Sequence, residues 1–307
     1  MSDIKLFDYS NGTVRELEPK NVDVEKKLQT LIENNMETFL GVRFLASEYS
    51  TGNRHRGRID SLGLDENNCP VIIEYKRDVS ENVINQGLFY LDWLMEHQAE
   101  FQLLVQGKFG EEVASNIDWS VPRLLCIAAD FTRYDEHAVQ QIERTIELIR
   151  YRLFDERYLM FELVNVPAAQ KKRSVCSVAT AVEIDADVCK HEEYLAKAPS
   201  GLVSVYESLC KQLQTLGEDV QVKQLKHYLA FKRLKNFATV VVNFGATFPN
   251  LYVYTKADLD SVEFVEGFTR DVSNIGHWGT GELEITIRTE EDIEKAMPLF
   301  RMSYERS

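Results

Sequence analysis

No C-x-x-C pair occurs in this chain; its five cysteines, Cys69, Cys126, Cys176, Cys189 and Cys210, are scattered through 307 residues. That spacing excludes a cysteine zinc site, and the odd number argues against a disulfide framework. No run approaches the roughly 18 apolar residues of a membrane-spanning helix. The N-terminus, MSDIKLFDYSNG, has no basic start followed by an apolar stretch. A soluble, unsecreted protein of the reducing cytoplasm is expected. Basic residues are outnumbered, 35 Lys+Arg against 49 Asp+Glu, for a net charge of −14. Such a chain does not coat nucleic acid, because that binding rests on Lys and Arg neutralising phosphates. A phosphate-binding G-x-x-x-x-G-K-[ST] loop is missing, and no Ser, His and Asp have a spacing that argues for nucleophilic catalysis.

Hydrophobic residues at 44% and charged residues at 27% are those of an ordinary globular protein, and the length suggests two domains. Asn11-Gly12 between two strand-like runs predicts an opening β-hairpin. Val24, Leu28, Leu31, Ile32, Met36 and Phe39 recur at helical intervals, with Asp23 as N-cap, so one helix is expected over 24–40. Strands follow at 43–49, 57–64 and 70–77, then helices at 81–97 and 99–115, a buried strand at 123–129, a helix at 137–149 and a closing strand at 158–164. This order implies a mixed sheet flanked by helices over 1–165. Residues 166–200 are expected as a linker, with an extra strand in the apolar stretch 175–184. A small α+β domain is expected over 201–307, with helices at 202–215 and 221–230, strands at 237–244, 249–255 and 282–288, and a final helix at 290–305.

The chemistry concentrates in Arg58-Ile59-Asp60 and Val71-Ile72-Ile73-Glu74-Tyr75-Lys76. Alternation along a strand puts Glu74 and Lys76 on one face and Val71, Ile73 and Tyr75 on the other. If Glu66-Asn67-Asn68 is a three-residue loop, Leu62 pairs with Ile72 and Asp60 falls opposite Glu74. Directly opposed side chains lie about 5 Å apart at Cβ. Two carboxylates that close repel unless a positive charge sits between them, and Mg²⁺ or Mn²⁺ suits oxygen ligands. The same register sets Lys76 opposite Arg58, where a cation helps hold a phosphate or orient water. Glu25 lies beside the apolar stripe of the first helix, where a carboxylate needs a partner. On the later helix Gln86 and Tyr90 are spaced i, i+4, with Trp93 and His97 continuing the face, so these residues are expected to frame the same cleft.

This ordered set resembles the PD-(D/E)XK nuclease superfamily: an acid on a first helix, Gly57-Arg58-Ile59-Asp60, the strand Glu74-Tyr75-Lys76, and a helix with Gln86 and Tyr90. It is most similar to the NucS-type, or RecB-like, endonucleases. The match covers about residues 20–97, with a similar continuation to about 165. The resemblance implies a restriction-endonuclease-like α/β domain and divalent-metal-dependent hydrolysis of DNA. It implies that Asp60 and Glu74 bind the metal, Glu25 a second metal or its water, and that Lys76 positions the attacking hydroxide. Gln86 and Tyr90 would support the site and help bind the nucleic acid. The one departure, Tyr75 where many relatives have an aliphatic residue, is on the opposite strand face. Arg270 to Gly281 resembles part of a small domain found behind such modules in bacterial proteins labelled predicted transport proteins, a label this sequence does not support.

Other charged and glycine-rich stretches are less specific. Arg54, Arg56 and Arg58 make a local basic run beside the proposed metal site, where a DNA backbone would dock. Lys223, Lys226, Lys232, Arg233 and Lys235 are expected to form a solvated helix face. Gly276-His277-Trp278-Gly279-Thr280-Gly281 is expected to be a tight turn into the next strand. The alternative to a nuclease is a non-catalytic scaffold that binds nucleic acid or, through the C-terminal domain, a protein partner. Residues 1–165 hold 18 Lys+Arg against 29 Asp+Glu, net −11, and residues 166–307 hold 17 against 20, net −3. The acidic half is thus the one with the proposed metal site, whose cations would offset part of that charge.

Overall fold

Gly12, at φ +77°, turns the chain between β1 (Leu6–Ser10) and β2 (Thr13–Leu17), with Ser10 opposite Thr13. The Asn-Gly signal thus marks a real hairpin. The computed structural model describes residues 4–10, 12–20, 25–52, 56–76, 83–164, 190–243, 249–277 and 279–307. The chain divides into two units, Met1–Ala169 and Gln170–Ser307.

The first unit is built on a seven-stranded mixed sheet. Its strands are β3 (Pro19–Lys20), β4 (Val42–Ser50), β5 (Arg58–Asp65), β6 (Pro70–Lys76), β7 (Arg123–Ala128), β8 (Thr145–Phe154) and β9 (Tyr158–Leu163). The order is β3-β8-β7-β6-β5-β4, with β9 also on β8. β4, β5 and β6 form an antiparallel meander, while β6-β7 and β7-β8 are parallel. α1 (Glu25–Glu33) buries Leu28 and Ile32, and α2 (Met36–Leu40) buries Met36 and Leu40. α3 (Val83–Glu96) buries Ile84, Leu91, Trp93 and Leu94 in a core shared with Leu62, Ile72, Leu124, Ile146 and Leu148. Gly87 lets α3 approach the sheet, because a Cβ there would stand 2.5 Å from a Leu124 methyl. α4 (Gln98–Phe109) and α5 (Glu111–Ser115) follow, and then α6 (Arg133–Gln141).

Three expected helices of the first unit differ. The helix over 24–40 is two, broken at Asn34-Asn35, where Asn35 leaves helical geometry and caps α2 with φ −134°. The one over 99–115 is interrupted at Gly110, which adopts φ +92°. The one over 137–149 ends at Gln141, and Ile142 is already extended. From Thr145 the chain is strand, because Ile146, Leu148 and Ile149 are buried in a parallel ladder with β7. Glu147 tolerates that burial through Arg123 on the neighbouring strand, at 2.7 and 2.9 Å.

In the second unit, β10 (Gln221–Gln224), β11 (Leu229–Lys232), β12 (Asn236–Asn243), β13 (Asn250–Thr255), β15 (Leu283–Ile287) and β14 (Thr269–Asp271) form an antiparallel sheet in that order. α7 (Lys190–Lys197), α8 (Ser200–Gln214) and α9 (Glu290–Glu305) accompany it. Leu209, Phe231, Phe237, Val253, Ile285 and Phe300 lie in its core. The helix expected over 221–230 is the β10-β11 hairpin. Val222, Leu225 and Leu229 mimic a helical period, but Val222 pairs with Phe231 across the sheet. Lys223 and Lys232 are accordingly only 3% and 2% exposed, not on a solvated helix. Gly279 and Gly281, at φ +106° and +117°, pack where a Cβ would strike Thr239 and the Thr255 carbonyl, so they form a structural turn. His277 stacks on Tyr254 at 4.4 Å, and Trp278 lies outside the described residues. So do Asp23 and the apolar stretch 175–184.

Candidate functional site

The site begins with how the β5-β6 hairpin is closed. Asp65 Oδ1 accepts the backbone N–H groups of Asn67 and Cys69, each at 2.9 Å, which ties the loop to the end of β5. Asp65 Oδ2 in turn receives Arg123 Nη1 at 3.0 Å. This closure sets the register Leu64–Pro70, Gly63–Val71, Leu62–Ile72 and Ser61–Ile73. One step further, Asp60 stands across from Glu74, as the three-residue loop predicts.

There the regular ladder stops and side chains take its donors. Asp60 Oδ2 accepts the Tyr75 N–H at 3.0 Å, and Glu74 Oε1 accepts the Asp60 N–H at 3.3 Å. Glu74 Oε2 accepts Gln86 Nε2 at 2.8 Å from α3. Gln86 Nε2 also lies 3.5 Å from Tyr90 Oη, which accepts the Arg58 N–H at 3.2 Å. Gly57 permits this close approach, since a Cβ would sit 2.5 Å from the Tyr90 ring. Gln86 and Tyr90 are thus joined to the acids as their helical spacing suggests.

Burial dominates the electrostatics. Glu74 is 0% exposed, and burial followed by the Asp60 charge pushes its carboxyl up to about 9. Burial also raises the Asp60 carboxyl; the Glu25 and Glu48 charges add to this, while the Tyr75 N–H and Lys76 oppose it.

Lys76 Nζ lies 3.5 Å from Glu25 Oε1 on α1. Glu25 therefore meets the lysine, and among the described residues no three His, Cys, Asp or Glu side chains converge to hold a metal ion. Two carboxylates nevertheless suit Mg²⁺ or Mn²⁺: a small hard cation is commonly held by one or two carboxylates, with waters and substrate oxygens completing its shell. Asp60 Oδ1 accepts no hydrogen bond among the described residues.

The β5-β6 pairing runs from Leu64–Pro70 to Ser61–Ile73, short of the expected Lys76–Arg58 level. Arg58, paired with Ser50 on β4, sends its guanidinium Nε to within 3.4 Å of Glu48 Oε2. Arg56 is exposed, and Arg54 lies outside the described residues. Trp93 does not line a cleft: it is buried in the core, with His97 stacked on it at 4.8 Å. Gln29, Glu33 and Ser61 are additions that the sequence reading passed over. Gln29 Nε2 donates to the Asp60 carbonyl at 2.8 Å and to Glu33 at 2.9 Å, and Ser61 donates to Glu33 at 2.6 Å. Gln29 could have been found as the residue one helical turn after Glu25.

Residues 191–307 match a family described as Domain of unknown function (DUF5655). An uncharacterized protein of Haemophilus influenzae is 27% identical over 310 residues, 98% of this chain and 99% of that protein. Among solved structures, a repair endonuclease from Pyrococcus abyssi matches 43% of this chain and 49% of its own, with 18% identity and a TM-score of 0.28. A complex of EndoMS with double-stranded DNA matches 43% of this chain and 47% of its own, with 17% identity and a TM-score of 0.25. The matched part is about half the length of each of those chains, and likeness at this level does not define an activity here.

Proposed function

We propose that the chain is a divalent-metal-dependent endonuclease that hydrolyses phosphodiester bonds in DNA. The observation carrying this reading is the Asp60–Glu74 pair at the open end of a β-ladder, Glu74 fully buried and Asp60 partly so, with Lys76 two residues beyond Glu74. Asp60 and Glu74 would hold the ion, with Gln86 fixing the Glu74 carboxylate through its 2.8 Å hydrogen bond. A bound Mg²⁺ or Mn²⁺ supplies charge for the phosphoryl oxygens and acidifies a water. Lys76 would orient an attacking water or neutralise the phosphate, and Glu25, 3.5 Å away, would hold the Lys76 ammonium in reach. Arg54, Arg56 and Arg58 contact the DNA backbone.

A second reading, a DNA- or partner-binding scaffold that keeps this fold, is favoured by one feature: Glu25 engages Lys76 instead of completing a three-acid site. Incubating plasmid and linear DNA with the purified chain in Mn²⁺, with EDTA as control, separates the two. Cleavage that disappears in EDTA, in Asp60→Ala and in Lys76→Ala, with circular dichroism unchanged, supports the nuclease. Equal cutting by parent and both variants would show the site assignment to be wrong. Metal and DNA binding without cutting selects the scaffold.

A further inference from the structure

The β4-β5 ladder pairs Ser47 with Ser61 and Tyr49 with Ile59, so Glu48 stands at the level of Asp60. The β5-β6 register puts Asp60 level with Glu74. Glu48, Asp60 and Glu74 therefore occupy one row across three neighbouring strands. Glu48 has a backbone unlike the others: φ is +51°, a left-handed conformation that a residue with a Cβ adopts at a cost. From there its carboxylate meets two cations from different elements, Lys26 Nζ of α1 at 3.0 Å and Arg58 Nε of β5 at 3.4 Å. Its charge is felt at Asp60, and the Lys26 contact keeps the Glu48 carboxyl below its ordinary range, so it is ionised.

A carboxylate already occupied by two cations is a poor metal ligand, which leaves another use for its place in the row. We infer that Glu48 is a positioning residue that holds the Lys26 ammonium and the Arg58 guanidinium beside Asp60 as a preplaced pair of phosphate contacts. This rests on the nuclease reading above. Arg58 is 70% exposed along its side chain, and Glu48 restricts where its charge lies. An exposed arginine left to itself loses rotamer freedom on meeting a phosphate, whereas a held one has less to lose. The DNA backbone then meets cations at the mouth of an otherwise acidic site.

The experiment compares Glu48→Gln, Glu48→Gly, Arg58→Ala and the double variant Glu48→Gln/Arg58→Ala, measuring kcat and KM on a short duplex in Mn²⁺ and duplex binding by fluorescence anisotropy. Glu48→Gln should raise KM about fivefold with kcat within about twofold of the parent, the scale of a partly exposed ion pair. Glu48→Gly should raise KM similarly while melting no lower than the parent, because glycine accepts the left-handed backbone. In the Arg58→Ala background, Glu48→Gln should have much less effect than alone. If the parent cleaves but Glu48→Gln leaves KM unchanged or lowers it, or its effect adds in full to that of Arg58→Ala, this inference alone falls. If the parent neither cleaves nor binds duplex, the nuclease reading falls, and this one with it.

Discussion

Asp60 donates its backbone N–H to the carboxylate of Glu74 at 3.3 Å, so the two acids are joined through the main chain as well as by charge. A proton or a cation at one is therefore felt at the other, and neither carboxylate can turn away without breaking a hydrogen bond to the strand backbone.

The first consequence is a pH dependence of stability. Glu74 is pushed from an ordinary 4.5 up to about 9 in the folded chain, while in the unfolded chain it titrates normally. Between those values the folded state binds the extra proton, so stability falls as pH rises through this window. The metal-free melting temperature should drop from pH 5 to pH 9. Saturating Mn²⁺ should flatten that slope, and so should Glu74→Gln. A slope unchanged in Glu74→Gln would show that another group causes it.

Gln86 donates to the Glu74 carboxylate from α3 at 2.8 Å. Gln86→Ala should weaken Mn²⁺ binding about tenfold, as removal of a partner to a metal ligand commonly does. Titration calorimetry measures this directly, and unaltered affinity would remove Gln86 from the site.

Gly57 packs against the Tyr90 ring with no room for a methyl group. Gly57→Ala should cost about 1–3 kcal/mol in urea unfolding, the range of overpacked sites. Tyr90→Phe, which loses the bond from the Arg58 N–H and the contact from Gln86 Nε2, should cost about 1 kcal/mol. If Gly57→Ala proves harmless, β5 and α3 are less tightly apposed than described.

Arg123 is buried between Glu147 and Asp65, and Asp65 closes the hairpin that sets the Asp60–Glu74 register. Arg123→Met leaves two buried carboxylates without their cation. It should destabilise the first unit by about 3–5 kcal/mol. The same variant should weaken Mn²⁺ binding, although Arg123 contacts neither Asp60 nor Glu74 through any described bond. Full stability in Arg123→Met would mean that the carboxylates accept protons at no cost.

Much of the centre of the site was legible in residue order. Strand parity and a short loop are local properties, and they place Asp60 across from Glu74 before any tertiary contact is known. The i, i+4 spacing of Gln86 and Tyr90 was legible for the same reason. Trp93, three residues after Tyr90, continues that face into the core, because which arc of α3 meets the sheet is settled by what packs there.

By itself the sequence determined the opening turn, the β5-β6 register and the acids on one strand face, all consequences of backbone geometry over a few residues. Only the tertiary structure decided that 145–154 and 221–232 are strands. Their helix-like apolar spacing was overridden by pairing with β7 and β12, and Glu147 became tolerable in a strand because Arg123 stands beside it. The tertiary structure alone brought Glu25 to Lys76 and Arg58 to Glu48. Those contacts depend on where a helix and an edge strand come to rest against the sheet, which no local rule specifies.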